Sequence, residues 1–236
     1  MKSETRSKLM GVSVATLATA LFKRGLRNQV IQGVHPVASK GRNMVGPAFT
    51  LRYMPAREDR NQLSEFRNPK HPQRVAIETC PEGHVMVIDS RKDARAASAG
   101  DILITRLMMR GGAGIVTDGG FRDAATIGAL DIPAYHARPS SPTNLTLHEA
   151  IEINGPIGCG DAPVFPDDIV VGDEDCVIVI PAHLAEEVAD EAVEMSAYED
   201  FVVKQVKNGQ TIIGLYPCTK EEHQAAFAEW RKSNGR

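Results

Sequence analysis

The chain has 236 residues, 42% hydrophobic and 24% charged, enough to build a sizeable core without staples, and its net charge of -3 argues against a nucleic-acid partner, whose footprint would be basic. Four cysteines, Cys80, Cys159, Cys176 and Cys218, lie far apart with no CxxC pair, which excludes the usual zinc spacing and fits a reducing compartment. No apolar run reaches the roughly 18 residues of a membrane span, and the opening MKSETRSKLM lacks a signal-peptide core, so a cytoplasmic globular protein is expected.

The first predicted element is a helix over residues 13–24 (SVATLATALFKR), apolar at helical spacing and stopped by Gly25. Residues 45–53 (VGPAFTLRY) read as a strand, residues 55–74 as a polar surface excursion, and HVMVID as a strand closing at Asp89. Residues 101–110 read as a helix with an acid in the first turn, a base in the last and Gly111 just beyond, which complements the helix dipole at both ends. AGIVTD is a short buried strand, Gly119 and Gly120 turn the chain out of it, and Asp123 opens a further short helix, DAATIGAL. IPAYHA continues the strand–helix–strand order, which predicts an α/β core with parallel pairing. After a Pro- and Ser-rich loop, residues 163–181 (PVFPDDIVVGDEDCVIVIP) read as two strands joined at Asp173-Glu174-Asp175. Pro181 then suits the first turn of a long helix, HLAEEVADEAVEMSAYEDFVVKQV, with Leu184, Val188, Ala192 and Met195 on one face.

The segment from Gly100 to Asp123 concentrates the charges that can carry chemistry. Taken singly, Asp101 and Asp123 are what a first helical turn favours, because an acid there meets orphan N–H groups and the positive dipole end. Arg122 alone carries almost no information. Together they have a second meaning. Arg122-Asp123 is delivered at the carboxyl end of a strand, where open α/β sheets bind ligands, and the helix beginning at Asp101 belongs to the same unit. Arginine and helix N-termini both hold carboxylates, and Asp123 offers oxygen ligands to a hard divalent cation. That combination would suit a 2-oxo acid.

The spacing D-x20-R-D, as Asp101, Arg122 and Asp123, resembles the motif of the RraA-like superfamily. The stretch from Ala15 to Pro36, the strand VGPAFTLR, the block GGAGIVTDGGFRD and the run PDDIVVGDEDCVIVIP resemble it too, in order and spacing, over about residues 12 to 190. That superfamily holds class II pyruvate aldolases acting on 4-hydroxy-4-methyl-2-oxoglutarate and 4-carboxy-4-hydroxy-2-oxoadipate, and also regulators of ribonuclease E. The resemblance implies an α/β protein with the β/β/α swivelling fold, one domain with a C-terminal helix and tail over 181–236. It further implies a homotrimer or hexamer with active sites shared between subunits. Asp123 would bind Mg2+ or Mn2+, and Arg122 the carboxylate or keto oxygen of the pyruvyl portion. Asp101 would position a water in the metal's shell, and the backbone around Gly100, Ile102 and Leu103 would complete the carboxylate site. One departure stands out: family aldolases carry a glutamate in a GE pair after the C-terminal helix, and the match here, NGQTIIGLYP, has Gln210. Glu199 and Glu222 are the candidate replacements.

Other candidates have plainer readings. His136 follows a strand and can reach the same crevice, although a lone histidine is more often structural. His148 and His183 fall in segments that look helical and are expected to face solvent. Ser98, Ser140 and Ser141 have no partnered histidine and acid. GGAG lacks the Lys-Ser/Thr of a phosphate loop and reads as packing at a helix–strand corner, and Cys159 as a small buried apolar residue. The expected function is a metal-dependent carbon–carbon lyase cleaving a 4-hydroxy-2-oxo acid to pyruvate, with oxaloacetate decarboxylation as a side activity. The alternatives are a non-catalytic ribonuclease regulator and a metal-dependent dehydratase or other lyase of 2-oxo sugar acids.

Overall fold

The computed structural model describes residues 1–234. Two helices, α1 (Ser3–Met10) and α2 (Val14–Lys23), open the chain. The Ser13 hydroxyl accepts the Thr16 N–H at 3.1 Å, capping α2, and Val14, Leu17, Ala20 and Leu21 recur on its buried face. Gly25, at φ +81°, ends the helix as the sequence predicts.

Two short strands, β1 (Val30–Ile31) and β2 (His35–Pro36), precede the long β3 (Met44–Pro55). The polar excursion after it is shorter than expected, because Pro72 starts helix α3 (Pro72–Thr79). Then come β4 (Val85–Asp89), β5 (Ala97–Ala99), α4 (Asp101–Met109), β6 (Gly114–Thr117), β7 (Gly120–Phe121), α5 (Ala124–Ala129), β8 (Ala134–His136) and β9 (Arg138–Pro139). Strands β10 (His148–Ile153), β11 (Ile157–Cys159), β12 (Ala162–Val164), β13 (Ile169–Gly172) and β14 (Val177–Ile180) follow, and helices α6 (Ala185–Lys207) and α7 (Glu221–Asn234) close the described chain.

The main sheet runs β1-β14-β13-β3-β4-β6-β8-β2, with β10 added on β3. Its centre, β3-β4-β6-β8, is parallel, as the strand–helix–strand order predicts. Strand β4 shows why: VMVI is buried throughout, the mark of a strand covered on both faces. The flanks are antiparallel, with β13 pairing residues 44–47 of β3 and β14 pairing β13 across the predicted Asp173–Asp175 turn. The fold is mixed α/β. One apolar cluster gathers α3, α4 and α5 against one part of the sheet through Ile77, Ile104, Leu107 and Ile127. Another gathers α1, α2 and α6 on β13 and β14 through Leu9, Leu17, Ile178 and Val188. No helix among the described residues is long and apolar enough to cross a membrane.

His148 departs from expectation. His148 lies in β10, not in a helix, and is fully buried: Arg91 Nη2 lies 3.2 Å from its Nδ1 and the Asp93 carbonyl 3.1 Å from its Nε2. His183 sits in a single 3-10 turn (Ala182–Leu184) and is exposed, as expected. Past Gly209, Ile212, Ile213 and Tyr216 are exposed and Leu215 alone of the IIGLY run is buried on its own chain. Leu215 packs with Phe201 and Val202, and Phe227 and Trp230 of α7, a helix too polar to stand out in the sequence, cover the same spot. Cys159 is buried and its thiol pushed well above the ordinary range by desolvation, in keeping with an inert apolar role. GGAG packs tightly, since a Cβ on Gly114 would lie 2.1 Å from Met44 Sδ and one on Gly112 2.7 Å from Leu107 Cγ.

Candidate active site

Strands β5 and β7 are parallel neighbours in a small sheet with β9, and they explain the twenty-residue spacing. Strand β5 ends at Ala99 and emits Gly100-Asp101, whereas β7 ends at Phe121 and emits Arg122-Asp123. The Arg122 N–H donates to the Ala99 carbonyl at 3.0 Å, so the two exits are tied side by side. Gly119 and Gly120 are required for space, not for left-handed backbone. A Cβ on Gly119 would meet Ser90 Cβ and Ser98 Oγ at 2.6 Å, and one on Gly120 would meet Ser140 Cβ at 2.5 Å.

Beneath this point, Asp118 is buried and its carboxylate accepts N–H bonds from Ser90 (2.7 Å), Lys92 (3.1 Å) and Gly160 (3.2 Å). Burial raises its pKa and those bonds oppose the rise. It pins three loops together and is a structural acid. Ser98 joins Ser90 and Thr117 in a buried hydroxyl cluster at 2.6 and 2.7 Å, with no histidine in it.

The predicted residues meet in one cleft of about 350 Å³. Gly100, Asp101, Ile102, Leu103, Arg122 and Asp123 line it together with Phe66, Gln73, Arg74, Thr143 and Asn144. Asp123 occupies the left-handed region at φ 56°, ψ 39°, and its side chain makes no capping bond to α5. The plain capping reading of Asp123 therefore fails. Its carboxylate leans over Gly100, where a Cβ would lie 3.5 Å from Oδ2. Asp101 is the first residue of α4 and its Oδ1 accepts the Ile102 N–H at 2.8 Å, so part of the capping reading holds for it. That bond occupies the Ile102 amide and leaves the Leu103 amide without a partner among the described residues. Arg122 and Asp123 are exposed, and neither side chain forms a hydrogen bond or ion pair among the described residues.

Other candidates fall elsewhere. His136 does not line the cleft: it is buried, stacks on Phe121 at 5.5 Å, and pairs in register with His35. Desolvation lowers its pKa to about 4, which keeps it neutral and structural. Ser140 and Ser141 lie beyond β9, outside the cleft lining. Gln210 Nε2 lies 2.9 Å from His223 Nε2, inside the C-terminal clamp. Glu199 accepts from Thr16 Oγ1 at 3.0 Å and Tyr216 Oη at 3.1 Å, and Glu222 is exposed beside Lys220. None of these three reaches its own chain's cleft. The sequence reading missed Gln73, Arg74, Thr143 and Asn144. Pro72 at the start of α3 was the available signal for the first two; a lone asparagine after a Pro-rich loop gives none.

A wider hollow of about 570 Å³ lies between Lys2, His84, Asp167 and Glu186. Its charges already pair, Lys2 with Glu186 at 2.8 Å and His84 with Asp167 at 3.5 Å, so it offers no convergent free groups.

Among the described residues no three His, Cys, Asp or Glu side chains gather as a metal cage. The donor set in the cleft is one free carboxylate, Asp123, with a second, Asp101, close in the same wall. Hard oxygens in that number suit a magnesium-type cation, which keeps several waters and takes one or two carboxylates. The residues present fit such an ion.

The chain is thus a mixed α/β protein whose acidic and arginine-bearing cleft lies at the carboxyl ends of the parallel strands β5 and β7. The RraA-like profile, described as Aldolase/RraA, matches residues 14–179, and the chain belongs to that family. It is 34% identical over 134 residues to a Halalkalibacterium halodurans protein provisionally named 4-hydroxy-4-methyl-2-oxoglutarate aldolase, an alignment covering 57% of this chain and 63% of the relative. It is 23% identical over 205 residues to protein DlpA of Legionella pneumophila, covering 87% of this chain and 32% of DlpA. These alignments span less than two thirds of either relative. Among solved structures, Streptomyces coelicolor RraAS2, described as an unusual member of the RNase ES inhibitor RraA family, superposes with a TM-score of 0.73 and 28% identity, covering 85% of this chain and 96% of that one. An uncharacterised Pseudomonas syringae protein shares the fold at a TM-score of 0.77 and 21% identity, covering 92% and 98% of the two chains.

Proposed function

We propose that the protein is a divalent-metal-dependent lyase that cleaves a 4-hydroxy-2-oxo acid to pyruvate and a second carbonyl compound. The observation that carries this reading is the pairing of β5 with β7, which sets Asp101, Arg122 and Asp123 on one cleft wall with the Arg122 and Asp123 side chains unpaired. A capping or surface-pairing role would have consumed them.

Asp123 would hold Mg2+ or Mn2+, which supplies Lewis-acid polarisation of the 2-oxo group when bound. Arg122 takes the substrate carboxylate or keto oxygen through its planar fork, assisted by the unpaired Leu103 amide at the α4 N-terminus. Asp101 has Oδ1 committed to Ile102, so Oδ2 is the atom that orients the water accepting the 4-hydroxyl proton. As the C3–C4 bond breaks, its electron pair moves into the pyruvate enolate. The Arg122 guanidinium faces the negative charge that develops there. Protonation at C3 then gives pyruvate. Oxaloacetate decarboxylation passes through the same enolate and is the expected side reaction.

The assembly that fits this site is a homotrimer or hexamer. Ile102 is 79% exposed at the cleft and Leu63 75% exposed, apolar surface that a neighbouring subunit would cover. A second reading, a ribonuclease regulator without chemistry, draws on the likeness to RraAS2. The two separate on one assay: pyruvate release from 2-oxo acids with Mg2+ or Mn2+, against inhibition of a ribonuclease E-type enzyme with no turnover.

A further inference from the structure

Gln73 is the second residue of α3 and only 4% exposed, yet it lines the cleft that holds Asp101, Arg122 and Asp123. Its Nε2 donates to the Ser98 carbonyl at 2.7 Å, and Tyr53 Oη donates to the same oxygen at 2.8 Å. A carbonyl oxygen only accepts, so this contact settles the orientation of the amide: Nε2 faces Ser98 and Oε1 is turned away from it. Oε1 accepts no hydrogen bond among the described residues, and it is not enclosed. It differs in this from Arg74 Nη1 and Asn144 Nδ2, on two other lining residues, which are enclosed and unpartnered. The little surface that Gln73 keeps therefore includes its acceptor, and that surface lies in the cleft.

The amide is not free to turn and suit a ligand. Ser98 belongs to β5, and its hydroxyl is tied to Ser90 at 2.6 Å and to Thr117 at 2.7 Å. Rotation of Gln73 would forfeit the Ser98 bond inside the protein. An acceptor that faces solvent is served by water, but a ligand that fills the cleft must supply a donor or leave a fixed acceptor unpaired. A carboxylate at this point would set acceptor against acceptor. An ammonium would share the cleft with two guanidinium groups, since Arg74 and Arg122 both line it. A hydroxyl supplies one donor and carries no charge. The 4-hydroxyl of the cleavage reaction gives its proton to the water oriented by Asp101, so the hydroxyl that suits Gln73 is a different one.

We propose that Gln73 is a specificity-determining residue whose Oε1 accepts a hydrogen bond from a substrate hydroxyl beyond C4, so that the cleft selects hydroxylated 2-oxo acids over their plain-chain counterparts. This rests on the lyase reading above. Gln73 acts on which substrate is bound and takes no part in breaking the C3–C4 bond.

The test is equilibrium binding by calorimetry to the full chain with Mg2+, using two matched pairs of probes that lack a 4-hydroxyl and so are not cleaved. They are 5-hydroxy-2-oxovalerate with 2-oxovalerate, and 6-hydroxy-2-oxohexanoate with 2-oxohexanoate, each affinity referred to the open-chain fraction. In at least one pair the wild type is expected to favour the hydroxylated member by roughly tenfold, the scale of an acceptor left unpaired. Gln73→Met keeps the length of the side chain without the acceptor, and should bring that ratio close to one. It also removes a donor to the Ser98 carbonyl. Tyr53→Phe is therefore the control, because it removes the other donor to that oxygen and leaves Oε1 in place; there the ratio should hold. Binding of the plain-chain member reports that each variant is folded. No preference in either pair, a preference that survives Gln73→Met, or one lost as fully in Tyr53→Phe overturns the inference and leaves the lyase reading standing. A wild type that binds none of the four probes overturns the lyase reading, and this inference with it.

Discussion

Asp123→Asn separates the functional role of this carboxylate from a structural one. Asp123 sits at φ 56° before α5 and makes no capping bond, so the substitution does not forfeit the roughly 1 kcal/mol an N-cap side chain usually contributes. Asparagine tolerates the left-handed region as aspartate does, so no new backbone strain arises. What is lost is the attraction of an exposed anion to the α5 N-terminus, about 0.3–1 kcal/mol before salt screening. For a chain of this size that is a fall in Tm of under about 4 °C. Asp123→Ala would add about 1 kcal/mol for placing alanine in the left-handed region, which makes it the poorer probe. Metal-dependent pyruvate release by Asp123→Asn should nevertheless fall by about 100-fold or more, as when one preorganised charge-stabilising group is removed. Scanning calorimetry and a coupled pyruvate assay read the two effects on the same preparation. Wild-type turnover in this variant, or a large loss of stability with activity intact, would refute the reasoning.

Arg122→Lys keeps the charge and loses the planar fork, so kcat/KM should drop by about 100-fold with stability changed by less than about 0.5 kcal/mol; unchanged kinetics would remove Arg122 from the site. Gly114→Ala should lower stability by about 1–3 kcal/mol through overpacking, because its Cβ would fall 2.1 Å from Met44 Sδ and 3.1 Å from the Pro133 carbonyl; an unchanged Tm would contradict the packing role of GGAG. His136, with its pKa lowered by burial from 6.5 to about 4, binds its proton less readily folded than unfolded. Its contribution is therefore fully present above pH 6.5 and lost as pH falls towards 4, on the order of 3 kcal/mol at the limit. His136→Gln should flatten the dependence of Tm on pH in that window, and a slope matching the wild type would show the account of His136 to be wrong.

The parallel centre of the sheet was legible because VMVID and AGIVT are short, nearly continuous apolar runs with a helical stretch between them. The site was legible for a related reason: β5 and β7 are neighbours, so two exits twenty residues apart in sequence come together in space. The β13–β14 hairpin was legible from its turn, but its docking on β3 was not, because pairing residues 44–47 with 169–172 depends on contacts no local pattern encodes. LHEAIEIN looks helical in spacing, yet His148 and Ala150 are both buried, the period of two of a strand on β3. Helix α7 escaped notice because it is polar and joins the rest largely through Phe227 and Trp230. Gln73 escaped because it is one residue in a polar stretch, and only the assembled cleft fixes its amide against the Ser98 carbonyl.

Metal-dependent cleavage of a 2-oxo acid in this cleft can be put to one assay. The most direct measurement is a panel of 4-hydroxy-2-oxo acids incubated with the protein and Mg2+ or Mn2+, with pyruvate detected by a coupled enzyme. Pyruvate should be released from at least one member, and both chelator and Asp123→Asn should abolish the release. No pyruvate from any member with either metal, or release that chelator leaves untouched, would contradict it.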